Sequence, residues 1–471
     1  MAAITSVDIG TFQLDRFESV LDEERMQQVR EGAAHAREVL EGRTIWHVNS
    51  TARGGGVAEM LIALLPYVHG AGVDARWAVI QGDKPFFTVT KRIHNLLHGS
   101  DGDGGPLGEE EHAAYDAALE PNAQELAGQI CGDDIVVLHD PQTAGLIPAI
   151  KETGAAVIWR CHVGLDEPND NARRAWGFLR GYVEQADAYV FSRDAFVWED
   201  LDRDRGSIIA PSIDAFAPKN QELDDDTVDA ILAHAGIVDA PAKGDPPAFT
   251  RMDGSTGTIE HEADMLEEQR LQPSDPFVLQ VSRWDRLMDP LGVIKGFAEH
   301  VPEGHLVYAG PAVDDVADDP EGAEVLEDAR RLWKSLPDGA RARVHLATLP
   351  MEDLDENAAI VNALQRRATI VVQKSLAEGF GLTVAEAMWK GRPVVASRIG
   401  GIQDQIVDGT SGVLLDDPQD LEAYGEAVAA LLEDPERAAR IGEAARERVK
   451  DRFLGTEALL EYLELIEPLT R

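Results

Sequence analysis

The sequence predicts an α/β protein built as two doubly wound, parallel-sheet domains, and three observations carry that prediction. At 471 residues the chain exceeds one ordinary core and suits two large domains. Short apolar, β-branched runs alternate with longer amphipathic stretches twice over, across residues 44–210 and again across 277–397. Between them the texture changes to APAKGDPPAFTRMDGSTG at 240–257, rich in Pro, Gly and Asp, as in a connection with an inserted loop. The expected division is 1–211 for the first domain, 212–276 for the connection, 277–450 for the second domain, and 451–471 for a final helix returning to the first.

In chain order, an acidic helix over 17–40 precedes the strand TIWHV at 44–48 and a helix at 57–68. Asn49-Ser-Thr-Ala-Arg-Gly-Gly-Gly56 joins them. Gly54, Gly55 and Gly56 allow the backbone to approach a ligand at a helix N-terminus, although a glycine run is about as often plain turn chemistry. A strand at 76–80 and a helix at 85–97 follow. GSDGDGGPLG at 99–108 reads as a solvated loop, a reading favoured over a metal-binding pair at Asp101 and Asp103. The runs IVVL and AAVIW end in His139-Asp140 and in Arg160-Cys-His162. Polar residues beyond the carboxyl ends of buried strands point into the crevice where open α/β sheets bind ligands. A histidine there is as often a satisfied structural residue as a catalytic one. A helix at 172–184 and strands at 188–191 and 208–210 complete this half.

The second half opens with a helix at 225–236. The rhythm resumes at FVLQV (277–281), with a helix at 290–299, strands at 305–309 and 344–346, and a helix at 356–367. ATIVVQ at 368–373 is a buried strand, broken by Lys374-Ser-Leu-Ala-Glu-Gly. TVAEAMWK at 383–390 is a helix stopped by Gly391 and Pro393, and VVAS at 394–397 starts the next strand. This strand–glycine loop–helix–strand unit places free backbone N–H groups where an anion binds. Two carboxylates bracket it. Glu386 fits a capping box with Thr383, which alone would explain it. Glu378 lies in the loop itself, where a carboxylate beside a ligand accepts hydrogen bonds from neutral hydroxyls such as those of a sugar. Residues 421–469 are helical throughout.

Composition narrows the partners. With 43 Lys and Arg against 85 Asp and Glu, the formal net charge is −42, which argues against nucleic acid or an anionic membrane as partner. The acids are spread along the chain, a pattern expected for a halophile's cytoplasm, where molar salt screens charge beyond about 3 Å. Cys131 and Cys161 offer neither metal-ligand spacing nor a disulfide framework, and a reducing interior is expected. No basic region followed by an apolar one opens the chain, and no eighteen apolar residues run together, so a soluble cytoplasmic protein is expected.

Two function classes compete. Gly379-Phe-Gly381-Leu-Thr-Val384 is one glycine short of a dinucleotide fingerprint, and Ser397-Arg398 at the end of the next strand suits the 2′-phosphate of an NADP-binding oxidoreductase. Gly54-x-Gly56-x-x-Glu59 fails the same fingerprint. Against it stands Glu378-x7-Glu386 within Glu-Gly-Phe-Gly-Leu, followed by Arg392-Pro-Val-Val-Ala-Ser and Gly400-Gly-Ile. This resembles the donor-site signature of retaining glycosyltransferases of the GT-B fold, the glycogen-synthase and sucrose-synthase-like group. More narrowly, Trp46–Met60, His139-Asp-Pro-Gln142, Trp159-Arg-Cys-His162, Val281-Ser-Arg-Trp-Asp285 and Val372-Gln-Lys-Ser375 resemble the trehalose glycosyltransferring synthases, which are close to the trehalose phosphorylases. The motifs run in order from about residue 44 to 412, in both domains.

The resemblance implies two Rossmann-like domains facing across a cleft, the first acceptor-side and the second nucleotide-sugar-binding. It implies reversible transfer of glucose, with retention, from a nucleotide-diphosphate glucose such as UDP-glucose to glucose, giving α,α-trehalose. A phosphorylase-like reaction, or another retaining hexosyl transfer on the same fold, is the alternative. By match to the motifs, Glu386 binds the nucleotide ribose, Glu378 the donor hydroxyls, and Arg283 with Lys374 the diphosphate. Gly379, Phe380, Gly381 and Leu382 belong to the donor loop, and Gly54–Gly56 approach the phosphates from the first domain. Asp140, Arg160 and His162 line the sugar pocket, so that Glu378, His162, Arg283 and Asp140 are the implied catalytic set. No metal and no cofactor are implied, cationic side chains and helix N-termini doing the neutralising. One departure stands out: Met288 occupies the position of a family lysine, leaving Arg286 or bound K⁺ as substitutes. The sequence is silent on oligomeric state, and a homodimer is carried as one assembly.

Overall fold

The computed structural model describes residues 3–52, 56–241, 244–313 and 320–470. The chain divides into two compact units, Met1–Ser212 with Leu454–Arg471, and Ile213–Phe453.

The first unit is a seven-stranded sheet. Its strands are β1 (Ile4–Val7), β2 (Thr44–Asn49), β3 (Asp74–Ile80), β4 (Ile135–His139), β5 (Ala156–Cys161), β6 (Ala188–Phe191) and β7 (Gly206–Ile208), in the order β1-β3-β2-β4-β5-β6-β7. All neighbours pair in parallel except β1, which runs antiparallel along β3. The chain leaves β2 toward β3 and returns on the other side at β4, so the topological switch point lies between β2 and β4. Every residue of both strands is buried, as expected for a parallel sheet covered on both faces. Alternation divides them between two cores: Trp46, Val48, Val136 and Leu138 join one, Ile45, Ile135 and Val137 the other. The second core is closed by the helix Gly56–Gly70 and by the last helix, Gly455–Ile466, through Ala458, Tyr462 and Ile466.

The second unit repeats the plan with β10 (Asp264–Leu266), β11 (Phe277–Val281), β12 (His305–Pro311), β13 (Val344–Leu349), β14 (Ile370–Gln373), β15 (Val394–Ser397) and β16 (Val413–Leu415). The order is β10-β13-β12-β11-β14-β15-β16, parallel except for β10, with the switch point between β11 and β14.

Several expectations are corrected. The expected connection, 212–276, is from residue 213 onward built into the second unit: β10 forms the sheet edge, and a hairpin of β8 (Ala248–Thr250) with β9 (Thr256–Thr258) is held on the helix Leu354–Arg367. Two carboxylates, one of them buried, make that attachment, which composition conceals. Asp353 takes the Arg251 guanidinium at 2.9 Å, and Glu356, 2% exposed, accepts the N–H groups of Glu260 and His261 at 2.6 and 2.8 Å. The expected 17–40 helix is a 3-10 turn, Leu14–Ser19, followed by the helix Glu23–Val39 capped by Asp22. The loop at 99–108 is tied down, since Asp103 pairs with the buried Arg92 at 2.6 and 2.9 Å and Asp101 accepts from Asn171 at 2.8 Å. The helix Glu109–Ala127 and the edge strand β1 had no counterpart in the sequence reading.

Candidate active site

In the second unit the site is built where β11 and β14 end. Gln280, fully buried on β11, accepts the Lys374 N–H at 3.1 Å and donates to the Met288 carbonyl at 2.8 Å, stitching the turn after β11 to the loop after β14. Lys374 is 0% exposed and its ammonium pairs with Asp289. Asp289 stands in the left-handed region at φ 50° and caps the helix Pro290–His300 through the Gly292 N–H at 3.0 Å. Lys374 therefore holds the two segments together instead of presenting a charge outward. Arg283 is an open cation here: its side chain is 69% exposed and, among the described residues, it pairs with Asp285 at 3.1 Å. Arg286 is engaged by Glu324 at 3.0 Å and by Glu321 and Asp328 at 3.5 Å, so the position left by Met288 is not filled from there. Met288 itself is 8% exposed, its sulfur 3.6 Å from Gln373 Nε2 and 3.5 Å from Ser375 Oγ.

Glu378 sits in the loop with its carboxylate accepting the Gly379 N–H at 3.1 Å. Burial raises its pKa, opposed by that hydrogen bond and by the nearby Arg283 guanidinium. The loop is locked by a second glycine turn. A Cβ on Gly400 would lie 1.8 Å from the Glu378 carbonyl oxygen, and Gly401 donates to the Gly379 carbonyl at 2.7 Å. Phe380 packs on Phe453 at 5.8 Å between ring centres, and its carbonyl accepts from Gln405 at 2.5 Å. The helix following is Leu382–Trp389, entered through Gly381 at φ 79° with no side chain capping it. Its first N–H groups are thereby left for an anion. Glu386 is thus interior to the helix and not the capping-box partner of Thr383. It is 6% exposed, its carboxylate 3.5 Å from Lys219 Nζ. Lys390 donates to the Glu386 carbonyl and to Asn220, both at 3.1 Å, and burial pushes its pKa well below the ordinary lysine value.

In the first unit, residues gather where β2, β4 and β5 end. Gly54 and Gly55 lie outside the described residues; Gly56 opens its helix, exposed and with free space around it. Asp140 follows β4 at φ 63°, accepts the His162 N–H at 2.8 Å, and through its carbonyl receives Trp159 Nε1 at 3.2 Å. Burial raises its carboxyl to about 6, with the His162 N–H and Arg160 opposing. His162 Nε2 meets His139 Nδ1 at 3.1 Å, and His139 Nε2 meets His47 Nδ1 at 3.1 Å, three rings stacked 5.4 and 5.3 Å apart. Arg160, implied on the acceptor side, is 1% exposed instead. It donates to the Tyr462 hydroxyl and, at 3.3 Å, to the Ile209 carbonyl. The second-unit set Arg283, Glu378 and the Gly381 helix terminus is brought together, as are Asp140 and His162 in the first. His47, Asp289 and Lys219 were missed. The available signals were a histidine inside the apolar strand TIWHV and an aspartate directly before the helix-opening Pro290.

Two family models match the chain: "Trehalose synthase, N-terminal domain" over residues 47–198 and "Glycosyl transferases group 1" over 264–448. A trehalose synthase of Pyrococcus horikoshii is 34% identical over 100% of this chain and 99% of its own. A trehalose phosphorylase of Pleurotus pulmonarius is 26% identical over 89% of this chain and 56% of its own. Among solved structures, a UDP-forming α,α-trehalose-phosphate synthase of Burkholderia vietnamiensis has the same fold, with a TM-score of 0.63 at 14% identity over 90% of this chain and 98% of its own.

Proposed function

The chain belongs to the trehalose synthase family of GT-B glycosyltransferases, and on that premise we propose that it transfers glucose, with retention and reversibly, from a nucleoside-diphosphate glucose to free glucose, forming α,α-trehalose. The observation that carries the reading is the second unit's loop: Glu378 held beneath Gly400, Arg283 beside it, and an uncapped helix N-terminus directly following. The carboxylate of Glu378 accepts donor-sugar hydroxyls. Arg283 and the N–H groups at Gly381 and Leu382 take the diphosphate, with Phe380 setting the loop's shape. Lys374 serves by holding Asp289 and the turn containing Arg283. Glu386, with Lys219 beside it, faces the nucleotide ribose.

The bond from the sugar's anomeric carbon to the phosphate oxygen breaks while a bond to the acceptor oxygen forms on the same face. The acceptor's hydroxyl proton passes to the departing phosphate oxygen, so no protein nucleophile is required. Charge developing on the diphosphate is met by fixed donors, the effect that contributes most to such reactions. In the first unit Asp140 and His162 bind the acceptor's hydroxyls. A distributed net charge of −42 supports a salt-rich cytoplasm as the working medium.

A second reading, phosphorolysis, is favoured by the likeness to the Pleurotus phosphorylase. The test is to supply glucose with either nucleoside-diphosphate glucoses or α-glucose 1-phosphate in molar KCl. Disaccharide from the nucleotide sugars alone supports transfer; disaccharide from glucose 1-phosphate alone supports the second reading. The Glu378→Gln variant should lose turnover while keeping its melting temperature, and an unchanged rate removes Glu378 from the site.

A further inference from the structure

Glu386 is 6% exposed, and a carboxylate so enclosed is costly unless an opposite charge meets it. Two lysines lie near it, and they are used differently. Lys390 gives its hydrogens to two neutral oxygens, the Glu386 carbonyl and Asn220 Oδ1, both at 3.1 Å, and burial pushes its pKa well below the ordinary lysine value. Arg366 is turned to Glu222 at 2.9 Å. Among the described residues, the ion pair at the Glu386 carboxylate is with Lys219, at 3.5 Å.

The backbone on either side of Lys219 is fastened down. Pro218 and Asn220 are buried, while the Lys219 side chain between them stays 35% exposed. The Pro218 carbonyl accepts from Asn362 Nδ2 at 3.0 Å, and the Asn220 carbonyl from Trp389 Nε1 at 3.0 Å and from Arg366 at 3.2 Å. Asn220 Nδ2 donates to the Asp214 carbonyl at 3.0 Å. Asn362 and Trp389 are both 0% exposed, so the turn is tied to the helix Leu354–Arg367 and to the helix Leu382–Trp389 that carries Glu386. An ion pair between two exposed, freely rotating chains contributes little. Here one partner is enclosed and the backbone of the other is fixed, so the pair sets where the carboxylate oxygens stand.

We propose that Lys219 is a positioning residue for nucleotide binding: its ion pair fixes the Glu386 carboxylate to accept the two hydroxyls of the nucleotide ribose. This rests on the reading that Glu386 faces the ribose, and adds that Lys219 acts through Glu386 and not on the diphosphate.

The experiment is titration calorimetry of the full chain in molar KCl with UDP, ADP and GDP and with their 2′,3′-dideoxy counterparts, which offer Glu386 no hydroxyl. Lys219→Met should weaken the ribonucleotide that binds best by about tenfold, the loss of about one hydrogen bond, and leave its dideoxy form near the parent's value. Lys219→Arg, which keeps the charge, should restore most of the affinity. Equal weakening of both forms would mean that Lys219 serves the diphosphate, and overturns the proposal. With Glu386→Gln already in place, Lys219→Met should cost nothing more; a further drop also overturns it. This double variant leaves no carboxylate unpaired, and it decides if Lys219→Met alone does not fold. Failure of the underlying reading looks different: no nucleotide binds the parent, or Glu386→Gln leaves its affinity unchanged. Weakening by Glu386→Gln with none by Lys219→Met sinks the proposal alone.

Discussion

Asp140 is held at a cost that one substitution should reveal. Its carboxyl, moved by burial from 3.8 to about 6, binds a proton more tightly in the folded chain than in the unfolded one. A group with a raised folded pKa contributes stability below its unfolded value and loses it as pH rises through the folded value, here between about pH 4 and 6. Roughly two decades of pH at about 1.4 kcal/mol each make the penalty at neutral pH about 3 kcal/mol as a ceiling. Asp140→Asn removes the titration while keeping an oxygen for the His162 N–H and tolerating φ 63°. In a unit of this size 1 kcal/mol moves the melting temperature by about 2–4 °C, so the variant should melt up to about 6–12 °C above the parent at pH 7.5. At pH 4 the two should converge. The assay is differential scanning calorimetry from pH 4 to 8 in molar KCl, beside acceptor KM, which should rise. A variant less stable than the parent at pH 7.5, or a pH-independent difference, would refute the reasoning.

Asp289→Asn keeps the helix cap but leaves the Lys374 ammonium buried without its carboxylate, and about 3–5 kcal/mol should be lost in thermal unfolding. Lys374→Met added to it should recover most of that, and an unshifted melting temperature in the single variant contradicts the pairing. Arg286→Ala should leave turnover nearly intact, because Arg286 serves Glu321, Glu324 and Asp328. Met288→Lys should raise turnover toward the roughly hundredfold that one preorganised donor supplies, most at low salt; a crippled Arg286→Ala with an unmoved Met288→Lys reverses the assignment. With a net charge of −42, the melting temperature should climb steeply from dilute buffer to molar KCl, which calorimetry across salt concentration checks.

What the sequence made legible was whatever writes itself as period and punctuation. The buried strands β2, β4, β11 and β14 are short, mostly apolar and β-branched runs, and the glycines at 379, 381, 400 and 401 mark the loop that holds Glu378. Contacts distant in sequence were not legible. The Lys374–Asp289 pair spans 85 residues and the Arg160–Tyr462 contact 302, so neither leaves a local trace. Glu386 misled for a different reason. The [ST]-x-x-[DE] spacing was present, but the left-handed Gly381 started the helix before Thr383 and carried the glutamate inside it. The hairpin at 248–258 reads as linker because its Pro, Gly and Asp content is that of a loop, while the carboxylates that fasten it, Asp353 and Glu356, belong to another helix.

The most direct test follows one labelled carbon. A nucleoside-diphosphate glucose carrying ¹³C at the anomeric position, incubated with unlabelled glucose and the protein in molar KCl, should yield a single disaccharide whose labelled anomeric carbon has the ¹³C shift and small anomeric coupling of α,α-trehalose. A β-configured product, a different disaccharide, or only free labelled glucose would contradict the account.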